Sequence, residues 1–537
     1  MAKTRNRDKQ APATTPETVA TAQPAANACS SRLGCVTRQV ERIPPCWRSA
    51  LCMLLVLVLG LMMYFVGHAK PPHAFWDENY HVTSAQRYID GIAHMQAHPP
   101  LGKLLIAAGE VLTGDNADLD KSALLRDEYI QGDDMPAGFS YGGMRFMPSL
   151  FGALAAVMFF GLMHALTGNR LWALLFSSLY LFENAFIVHF RAVHLDSFQF
   201  FFSLAALWLF VRLWKRESAI PWHQYAALGA LCGLSIMVKV NAALLLALFP
   251  VLYFKDAGTR AGLSLAGHAR HFLLKSGSAT AALAAVILLV FAAHAIVADQ
   301  PPLGNNNPAS QKHLPQMSDT YKDYVNLQSS LTPSVLLAIT RDYYNFMQYD
   351  NKGVPKLDVC KPGENGSHPL HWPVMNKTIN YRWDSADGFT RYVQLVGNQF
   401  SWYLGLAAIL LSLLTVANHR LFKMPVGDQR NYQLIEVFTA LYVIFMLLHL
   451  YLGAQRVMYL YHYFIGLLIS YILIVLNWQN LCDFHAFSQR KRGAIAAGIA
   501  AAIIGSGLFF LPLSNHWPLS TKQCEARNIL SNIVSCQ

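Results

Sequence analysis

Runs of apolar residues, separated by short polar connections, make up most of the chain. Many of these runs are long enough to cross about 30 Å of hydrocarbon as helices. The only long polar stretches after the N-terminal tail are 68–141 and 299–399. The pattern predicts an all-α polytopic membrane protein with about eleven transmembrane helices and two large extracytoplasmic loops. The predicted spans are 51–66, 143–165, 171–189, 196–214, 223–238, 240–254, 276–298, 400–417, 433–453, 457–477 and 493–513.

The same pattern sets the predicted domain boundaries. Residues 1–46 are rich in Ala, Thr, Pro and Gln, a composition that cannot bury a core, so we expect a disordered cytoplasmic tail. Two transmembrane modules follow, with the longer polar loop between them. The boundaries are 47–298 for the first module including its loop 68–141, 299–399 for the second loop, 400–513 for a C-terminal four-helix module and 514–537 for an extracytoplasmic tail.

Composition and charge support a membrane protein and give its orientation. Hydrophobic residues make up 54% of the chain and charged residues 14%, whereas soluble domains carry about 25% charged residues. The net charge of +11 is unevenly placed. In the short connections, about fourteen Lys and Arg residues lie on one side and about three on the other. The positive-inside rule therefore predicts a cytoplasmic N-terminus and an extracytoplasmic C-terminus, and the basic balance does not indicate nucleic-acid binding.

The nine cysteines are scattered and include no CxxC pair, so they indicate neither a disulfide scaffold nor structural zinc. The predicted orientation places Cys360, Cys524 and Cys536 outside, where disulfides persist. A bridge between Cys524 and Cys536 is compatible with this placement, but an odd set of three leaves the pairing open.

The predicted topology brings the polar residues with the clearest chemical character to the outer face. Charged groups at a bilayer edge are costly and usually line a cavity or pair with one another. A carboxylate facing cations at headgroup depth suits transfer of a group from a lipid phosphate to a hydroxyl: the carboxylate takes the proton and the cations hold the phosphate. The candidates are Asp77, Glu78, His98, Lys103, Arg145, Arg191, His194, Asp196, Lys239, Arg456 and His462.

Each of these residues also has a simpler interpretation. Asp77 and Glu78 could be solvated loop acids, and the arginines could reach lipid phosphates or close ion pairs between helices. His194 and His462, taken singly, are typical packing residues. An Asp-Glu pair near His could bind a divalent metal, but no ligand spacing is diagnostic. We therefore predict no metal and no other cofactor.

Several short motifs in this order resemble those of the protein O-mannosyltransferase family, which belongs to the GT-C superfamily of membrane glycosyltransferases. The resemblance covers about Phe75 to Phe510, and the order of the motifs makes it specific. They are Asp77-Glu78, His98-Pro99-Pro100-Leu101-Gly102-Lys103, Gly143-Met144-Arg145-Phe146, Arg191 with Leu195-Asp196-Ser197, His371-Trp372-Pro373, Gly397-Asn398 with Trp402, and Arg456 with Tyr461-His462-Tyr463.

The resemblance implies a GT-C fold and an enzyme that moves mannose, with inversion, from a polyprenyl- or dolichyl-phosphate carrier to Ser or Thr of a secreted or membrane protein. It implies that Asp77 is the catalytic base, that Glu78 supports it and that Arg145 belongs to the donor site. The other expected donor-site residues are Arg191, Lys239, Arg456, His98 and Lys103, with Asp196, His194 and His462 as further candidates.

The chain departs from the family pattern in a few places. Asn79-Tyr80-His81 replaces Val-His-Phe/Tyr, Gln399 replaces a Pro, and Phe464-Ile465 replaces Leu-Pro. The loop 299–399 is too short and irregular for a β-trefoil MIR domain, which implies a bacterial-type member in the inner membrane that works alone or as a dimer. A GT-C enzyme acting on a lipid of the lipid A type and, from another class, a transporter are the alternatives. A transporter would usually show paired repeats, and we see none.

Overall fold

A computed structural model of the chain describes residues 45–259, 262–304, 306–529 and 533–536. The predicted disordered tail, 1–46, lies outside these residues apart from the backbone of its last two. The chain divides into Met1–Leu51 and Cys52–Gln537. The contacts described below lie within the second unit.

Long apolar helices dominate the structure, which confirms the predicted helical membrane fold. Within the described residues, nine helices are long and apolar enough to cross a membrane, and the bent pair Arg170–Leu181 and Asn184–Phe190, with a 63° break, makes a tenth. The remaining predicted span, 223–238, forms Trp222–Ile236, a helix of 15 residues. At 1.5 Å per residue that helix is about 22 Å long, which is shorter than the hydrocarbon layer.

Nineteen α-helices, numbered in chain order, form the described part of the molecule. They are α1 Pro45–Gly60, α2 Glu78–Ile89, α3 Leu101–Thr113, α4 Gly142–Thr167, α5 Arg170–Phe176, α6 Ser178–Leu181, α7 Asn184–Phe190, α8 Asp196–Trp214, α9 Trp222–Ile236, α10 Leu248–Gly258, α11 Leu265–Val297, α12 Pro308–His313, α13 Asp319–Asn326, α14 Pro333–Lys352, α15 Gln399–Phe422, α16 Gln429–Gly453, α17 Phe464–Phe484, α18 Gln489–Ser514 and α19 Thr521–Glu525.

The loop 68–141 is built around the two helices α2 and α3. The Pro99-Pro100 pair predicts a helix from Leu101 to Leu112, and α3 covers Leu101–Thr113. Gly114 ends α3 with a left-handed φ of 68°, a conformation that glycine adopts without steric cost. Helix α2 begins directly after Asp77, so the start of this helix places the predicted base.

The loop 299–399 contains α12–α14 and a β-hairpin, which adds a small sheet to the helical fold. Strands β1 (Ile379–Ala386) and β2 (Phe389–Leu395) are antiparallel, and the tail adds β3 (Pro518–Leu519) beside β2. Asp387 and Gly388 make the turn with φ values of 54° and 75°, as a tight hairpin turn requires. In the same tail, Cys524 and Cys536 form the disulfide that the sequence left open.

A fully buried carboxylate, Glu183, joins the bent span to the C-terminal helices. Glu183 accepts hydrogen bonds from the Asn398 main-chain N–H at 2.9 Å, from the Ser401 hydroxyl at 2.9 Å and from the Tyr471 hydroxyl. It also accepts one from the Ala185 N–H at 3.2 Å, at the start of α7. These bonds connect α7 with α15 and α17, so one side chain holds together segments that are far apart in the sequence.

Candidate active site

Asp77 occupies the N-cap position of α2 but does not cap that helix. An N-cap Asp usually accepts from a main-chain N–H of the first turn, whereas Asp77 Oδ2 accepts only a 3.5 Å hydrogen bond from the Tyr461 hydroxyl. Burial raises the pKa of Asp77 to about 6, although the Lys239 ammonium opposes the increase. Trp76, just before it, has a left-handed φ of 53°. Asp77 therefore keeps an accessible lone pair and a pKa suited to a general base.

Glu78, the adjacent acid, forms a closed ion pair with Arg145. Its carboxylate accepts from Arg145 Nε and Nη2, both at 2.7 Å, and from the main-chain N–H groups of Phe75 at 3.0 Å and Val193 at 2.8 Å. Both side chains are fully buried. The other guanidinium N–H groups donate to main-chain carbonyls of the segment before α2, at Ala69, Pro71 and His73.

This geometry differs from the phosphate contact that the sequence predicts for Arg145. Every nitrogen of the guanidinium already donates to Glu78 or to a carbonyl, and the group is shielded from solvent. We therefore assign Arg145 and Glu78 as positioning residues that hold the start of α2, and with it Asp77, against α4. The sequence analysis allowed for ion pairs of the arginines but did not identify Glu78 as the partner of Arg145, because the two residues are 67 positions apart.

Asp196 and Lys239 form a second ion pair close to Asp77. The Lys239 ammonium donates to both Asp196 oxygens at 2.9 Å and lies 5.5 Å from the centre of the Tyr461 ring. Asp196 also contacts His189 Nε2 at 2.9 Å. Because Tyr461 bonds to Asp77, this pair belongs to the surroundings of the base. The structure thus brings together three of the predicted residues, Asp77, Asp196 and Lys239.

Three cations act electrostatically on His98, and we call them the His98 cation group: Lys103, Lys239 and Arg456. Burial lowers the pKa of His98 well below its usual range, and the charges of Lys239, Lys103 and Arg456 lower it further, against the opposing effect of Asp196. A point at which several positive charges act together is electrostatically favourable for an anion. This arrangement suits a phosphate.

Within this group, Lys103 and Arg456 have no hydrogen-bonded carboxylate partner in the part of the chain that the structure describes. The buried Lys103 ammonium donates to Gln96 Oε1 at 2.9 Å, and burial lowers its pKa to about 7. Arg456 Nη1 donates to Asn351, and its buried Nε has no partner. Lys239, by contrast, is already neutralised by Asp196. Lys103 and Arg456 are therefore the cations with the most capacity left for a phosphate.

Aromatic side chains form a wall beside Asp77. Trp76 stacks on Tyr381 at 4.9 Å and meets Tyr459 edge-on at 5.3 Å, and Tyr461 stacks on His462 at 4.5 Å. Flat aromatic faces of this kind suit apolar contact with a sugar ring. His462 thus belongs to this wall, and its Nδ1 is bonded within its own turn to Tyr459.

Two residues of the site were missed by the sequence analysis. His189 lies in an apolar run and Tyr381 in an irregular loop, so neither carries a local signal. In the structure, the Tyr381 hydroxyl bonds to His189 Nδ1 at 2.9 Å, which links β1 to α7 and to Asp196. The predicted candidate His194 packs against His189 with ring centres 4.1 Å apart, and its buried Nε2 has no partner.

Arg191 makes its contacts elsewhere. Its guanidinium donates to the Val66 carbonyl at 3.1 Å and to the Asn515 side chain. These bonds tie the turn before α8 to the ends of the first and last spans, so Arg191 is engaged in helix packing.

In the part of the chain that the structure describes, no three His, Cys, Asp or Glu side chains are grouped as a metal ion would require. The absence of a metal cofactor stays a prediction.

Many helical spans, with two folded loops over a carboxylate and a group of cations, define a membrane protein of the GT-C class. A family model described as dolichyl-phosphate-mannose-protein mannosyltransferase matches residues 53–298. A second, the C-terminal four TMM region of protein-O-mannosyltransferase, matches residues 344–533. Together these matches cover most of the chain. The chain belongs to the protein O-mannosyltransferase family.

Similar proteins share only part of their length with this chain. Protein O-mannosyl-transferase 2 of Drosophila melanogaster is 27% identical over 199 residues, which are 36% of this chain and 25% of that protein. Dolichyl-phosphate-mannose--protein mannosyltransferase 1 of Saccharomyces cerevisiae is 29% identical over 176 residues, 32% of this chain and 21% of that protein. The matched region thus spans about a quarter of the length of these relatives.

A solved structure resembles almost the whole chain. It is that of the S. cerevisiae protein O-mannosyltransferase Pmt1-Pmt2 complex bound to the sugar donor, with a TM-score of 0.73 over 90% of this chain and 92% of that one. The sequence identity is 16%, so this likeness concerns the fold. It supports the GT-C architecture from the first span to the C-terminal helices.

Proposed function

We propose that this protein transfers a mannosyl residue from a polyprenyl-phosphate carrier to Ser or Thr hydroxyls of secreted or membrane proteins, with inversion. The observation that carries the proposal is Asp77, a carboxylate with one long hydrogen bond and a pKa near 6, beside the His98 cation group. Family membership supports the chemistry. Among the similar proteins, the S. cerevisiae enzyme is named for transfer from dolichyl-phosphate mannose to protein.

In the proposed reaction, Asp77 removes the proton of the acceptor hydroxyl as that oxygen attacks the anomeric carbon. The bond between the anomeric carbon and the phosphate oxygen breaks, and the phosphate leaves with the electron pair. Its charge is held by neighbouring cations, so no separate acid has to protonate it. A single displacement of this kind inverts the anomeric configuration.

The hydrogen-bond pattern assigns different tasks to the cations in this proposal. Lys103 and Arg456, which have no carboxylate partner, hold the donor phosphate together with His98. Lys239 keeps Asp196 in place and adds positive potential near Asp77. Arg145 acts through Glu78 on the position of α2. The aromatic wall offers its faces to the sugar and the acceptor.

The direct test uses membranes that contain the protein and labelled polyprenyl-phosphate mannose. The proposal expects label in protein, at Ser or Thr, and a rate of transfer about 10²–10⁴-fold lower in the Asp77→Asn variant. Asp118→Asn is a matched control, because Asp118 is an exposed carboxylate of the same loop. Label that moves to lipid A-type lipids instead would overturn the protein acceptor and favour the lipid alternative, and the absence of any sugar transfer would overturn the activity.

The proposal includes a location. A bacterial inner membrane, with the N-terminus in the cytoplasm and the loops 68–141 and 299–399 outside, is supported by the distribution of Lys and Arg. Membrane-impermeant labelling of single cysteines should reach both loops but not the connection 255–275. Labelling of that connection in intact cells would reverse the orientation. A dimer belongs to the proposal as well, and crosslinking in native membranes tests it.

A further inference from the structure

Strand β1 is an edge strand, with no second strand beside it among the described residues. The sheet order is β1-β2-β3, and β1 pairs with β2 from Ile379 opposite Leu395 to Ala386 opposite Phe389, with a register shift between Asn380 and Arg382. Among the described elements, β2 is the one with which β1 makes extensive contacts. In an antiparallel ladder, alternate residues direct their N–H and C=O groups away from the partner strand. At the exposed end of β1, from Trp383 to Ala386, this row of donors and acceptors is left for another strand.

One end of this open edge lies at the candidate base. Tyr381, in β1, stacks on Trp76 with ring centres 4.9 Å apart, and Trp76 directly precedes Asp77. Ile379 and Tyr381 are buried, whereas the far end of the strand is exposed and Trp383 has 48% of its surface accessible. Strand β1 therefore runs from an exposed end to a buried end that packs on Trp76, the residue before Asp77.

Two side-chain amides beside Tyr381 have no hydrogen-bond partner among the residues that the structure describes. Asn380 in β1 and Gln394 in β2 are opposite each other in the ladder, and all four of their amide N and O atoms are buried and unpaired. Gln394 is fully buried. Buried polar groups are nearly always paired, because an unpaired one loses its hydration without compensation. This pair of amides therefore provides donors and acceptors that fit a polar partner brought to the sheet.

We propose that β1 binds the acceptor polypeptide as an added, extended strand, and that this pairing delivers the Ser or Thr hydroxyl to Asp77. The inference rests on the proposed function and specifies how the acceptor is held. Main-chain hydrogen bonds to an edge strand give affinity that depends little on sequence, while side chains of alternate residues meet neighbouring groups of the sheet. Asn380 then contacts side chains of the added strand. A lipid acceptor has no peptide groups to pair with this edge.

The sharpest test uses short acceptor peptides with one Thr and a single N-methyl group moved along the backbone. N-methylation removes one donor, and in an added strand alternate residues face β1. The KM for the peptide should therefore rise about three- to tenfold at every second position and change little between them. The kcat should vary less than KM. A KM that is flat along the peptide, or that varies without a period of two, would overturn the proposal.

A pair of variants tests the amide contact. Asn380→Ala should raise the peptide KM about three- to tenfold, with an unchanged KM for the donor. Asn376→Ala is the matched control, because Asn376 is an exposed asparagine of the same loop that precedes the strand. An unchanged peptide KM in Asn380→Ala, with its stability intact, would count against the role of Asn380.

These results separate the two proposals. Transfer to peptides without the two-residue period would leave the mannosyltransferase function standing and remove the edge-strand mode. If no peptide accepts sugar under any condition while a lipid does, the function itself fails. If Asn380→Ala proves unstable, the peptide series with the unaltered protein still decides the question.

Discussion

Asp77 and Glu78 are adjacent in the chain and yet lie in opposite surroundings. The Glu78 carboxylate accepts two hydrogen bonds from Arg145 and two from main-chain N–H groups, and it is fully buried. Asp77 has a single 3.5 Å bond from Tyr461 and faces the aromatic wall. The difference shows how to tell a positioning carboxylate from a reactive one. A carboxylate whose oxygens already accept several hydrogen bonds holds the backbone in place. A carboxylate with few hydrogen bonds still has a lone pair that can accept a proton.

The cations show the same contrast. All three guanidinium nitrogens of Arg145 donate hydrogen bonds to Glu78 or to main-chain carbonyls. Lys103 is also buried, but its one hydrogen bond goes to the neutral amide of Gln96. A buried ammonium is costly, and the two acids that act on Lys103 electrostatically, Asp350 and Glu128, accept no hydrogen bond from it in the described structure. An anionic ligand would relieve that cost at Lys103, whereas at Arg145 it would have to displace Glu78.

The largest expected effect is that of Asp77→Asn. The amide keeps the shape but cannot take a proton, so kcat should fall by about 10²–10⁴-fold, with little change in donor binding. Because burial raises the pKa of Asp77 to about 6, the folded protein binds this proton more tightly than the unfolded chain does. The ionised group therefore opposes folding above about pH 6. At pH 7.5 the variant should be at least as stable as the parent.

Steady-state rates with peptide acceptors measure the loss of kcat in Asp77→Asn. Thermal unfolding in detergent measures its stability. Full activity in Asp77→Asn would reject the base. Loss of folding at pH 7.5 would place Asp77 with Glu78, among the positioning residues.

The second-largest effect is expected for Glu78→Gln, which should lower the free energy of unfolding. Removing the charge leaves Arg145 buried without a counter-ion, which costs about 3–5 kcal/mol. The unfolding temperature should drop strongly, and activity should fall only as far as α2 is displaced. Asp118→Asn controls for loss of an acid in the same loop. Unchanged stability with a lost chemical step would move the catalytic role from Asp77 to Glu78.

Lys103→Met should raise the donor KM on the order of tenfold, since a charge-assisted contact contributes about 1.5–3 kcal/mol. Burial lowers the pKa of Lys103 to about 7, so its charged form opposes folding below that pH. The apolar replacement should therefore not destabilise the protein, unlike the loss of Glu78. Titration with donor and a melting curve test this contrast. An unchanged donor KM would exclude Lys103 from the phosphate site.

The smallest effect concerns pH. Asp77 must be ionised, which requires a pH above about 6, and Lys103 must be protonated, which requires a pH below about 7. The kcat/KM for the donor should therefore show a narrow optimum between these values and fall up to about tenfold per pH unit outside it. In Lys103→Met, the fall of kcat/KM at alkaline pH should disappear, and the fall at acidic pH should remain. An alkaline limb that survives in Lys103→Met would belong to another group.

Hydropathy alone predicts most of the fold, because the cost of placing backbone and charge in lipid acts locally along the chain. The segment 223–238 differs since its helix stops at Ile236, before a full crossing. The hairpin had a local signal in Asp387-Gly388 between alternating residues. The motifs also locate Asp77. They do not show that every nitrogen of Arg145 is hydrogen-bonded, or that Tyr381 bonds to His189. These contacts join segments that are distant in the sequence.

The four hydrogen bonds on Glu183 have a consequence for how the protein is made. The donors from Asn398, Ser401 and Tyr471 lie more than 200 residues further along the chain. Until α15 and α17 enter the membrane, this carboxylate has only the N–H of its own turn, and an unpaired acid in hydrocarbon is unfavourable by several kcal/mol. We therefore expect the first half to be less stable until the last helices pack against it.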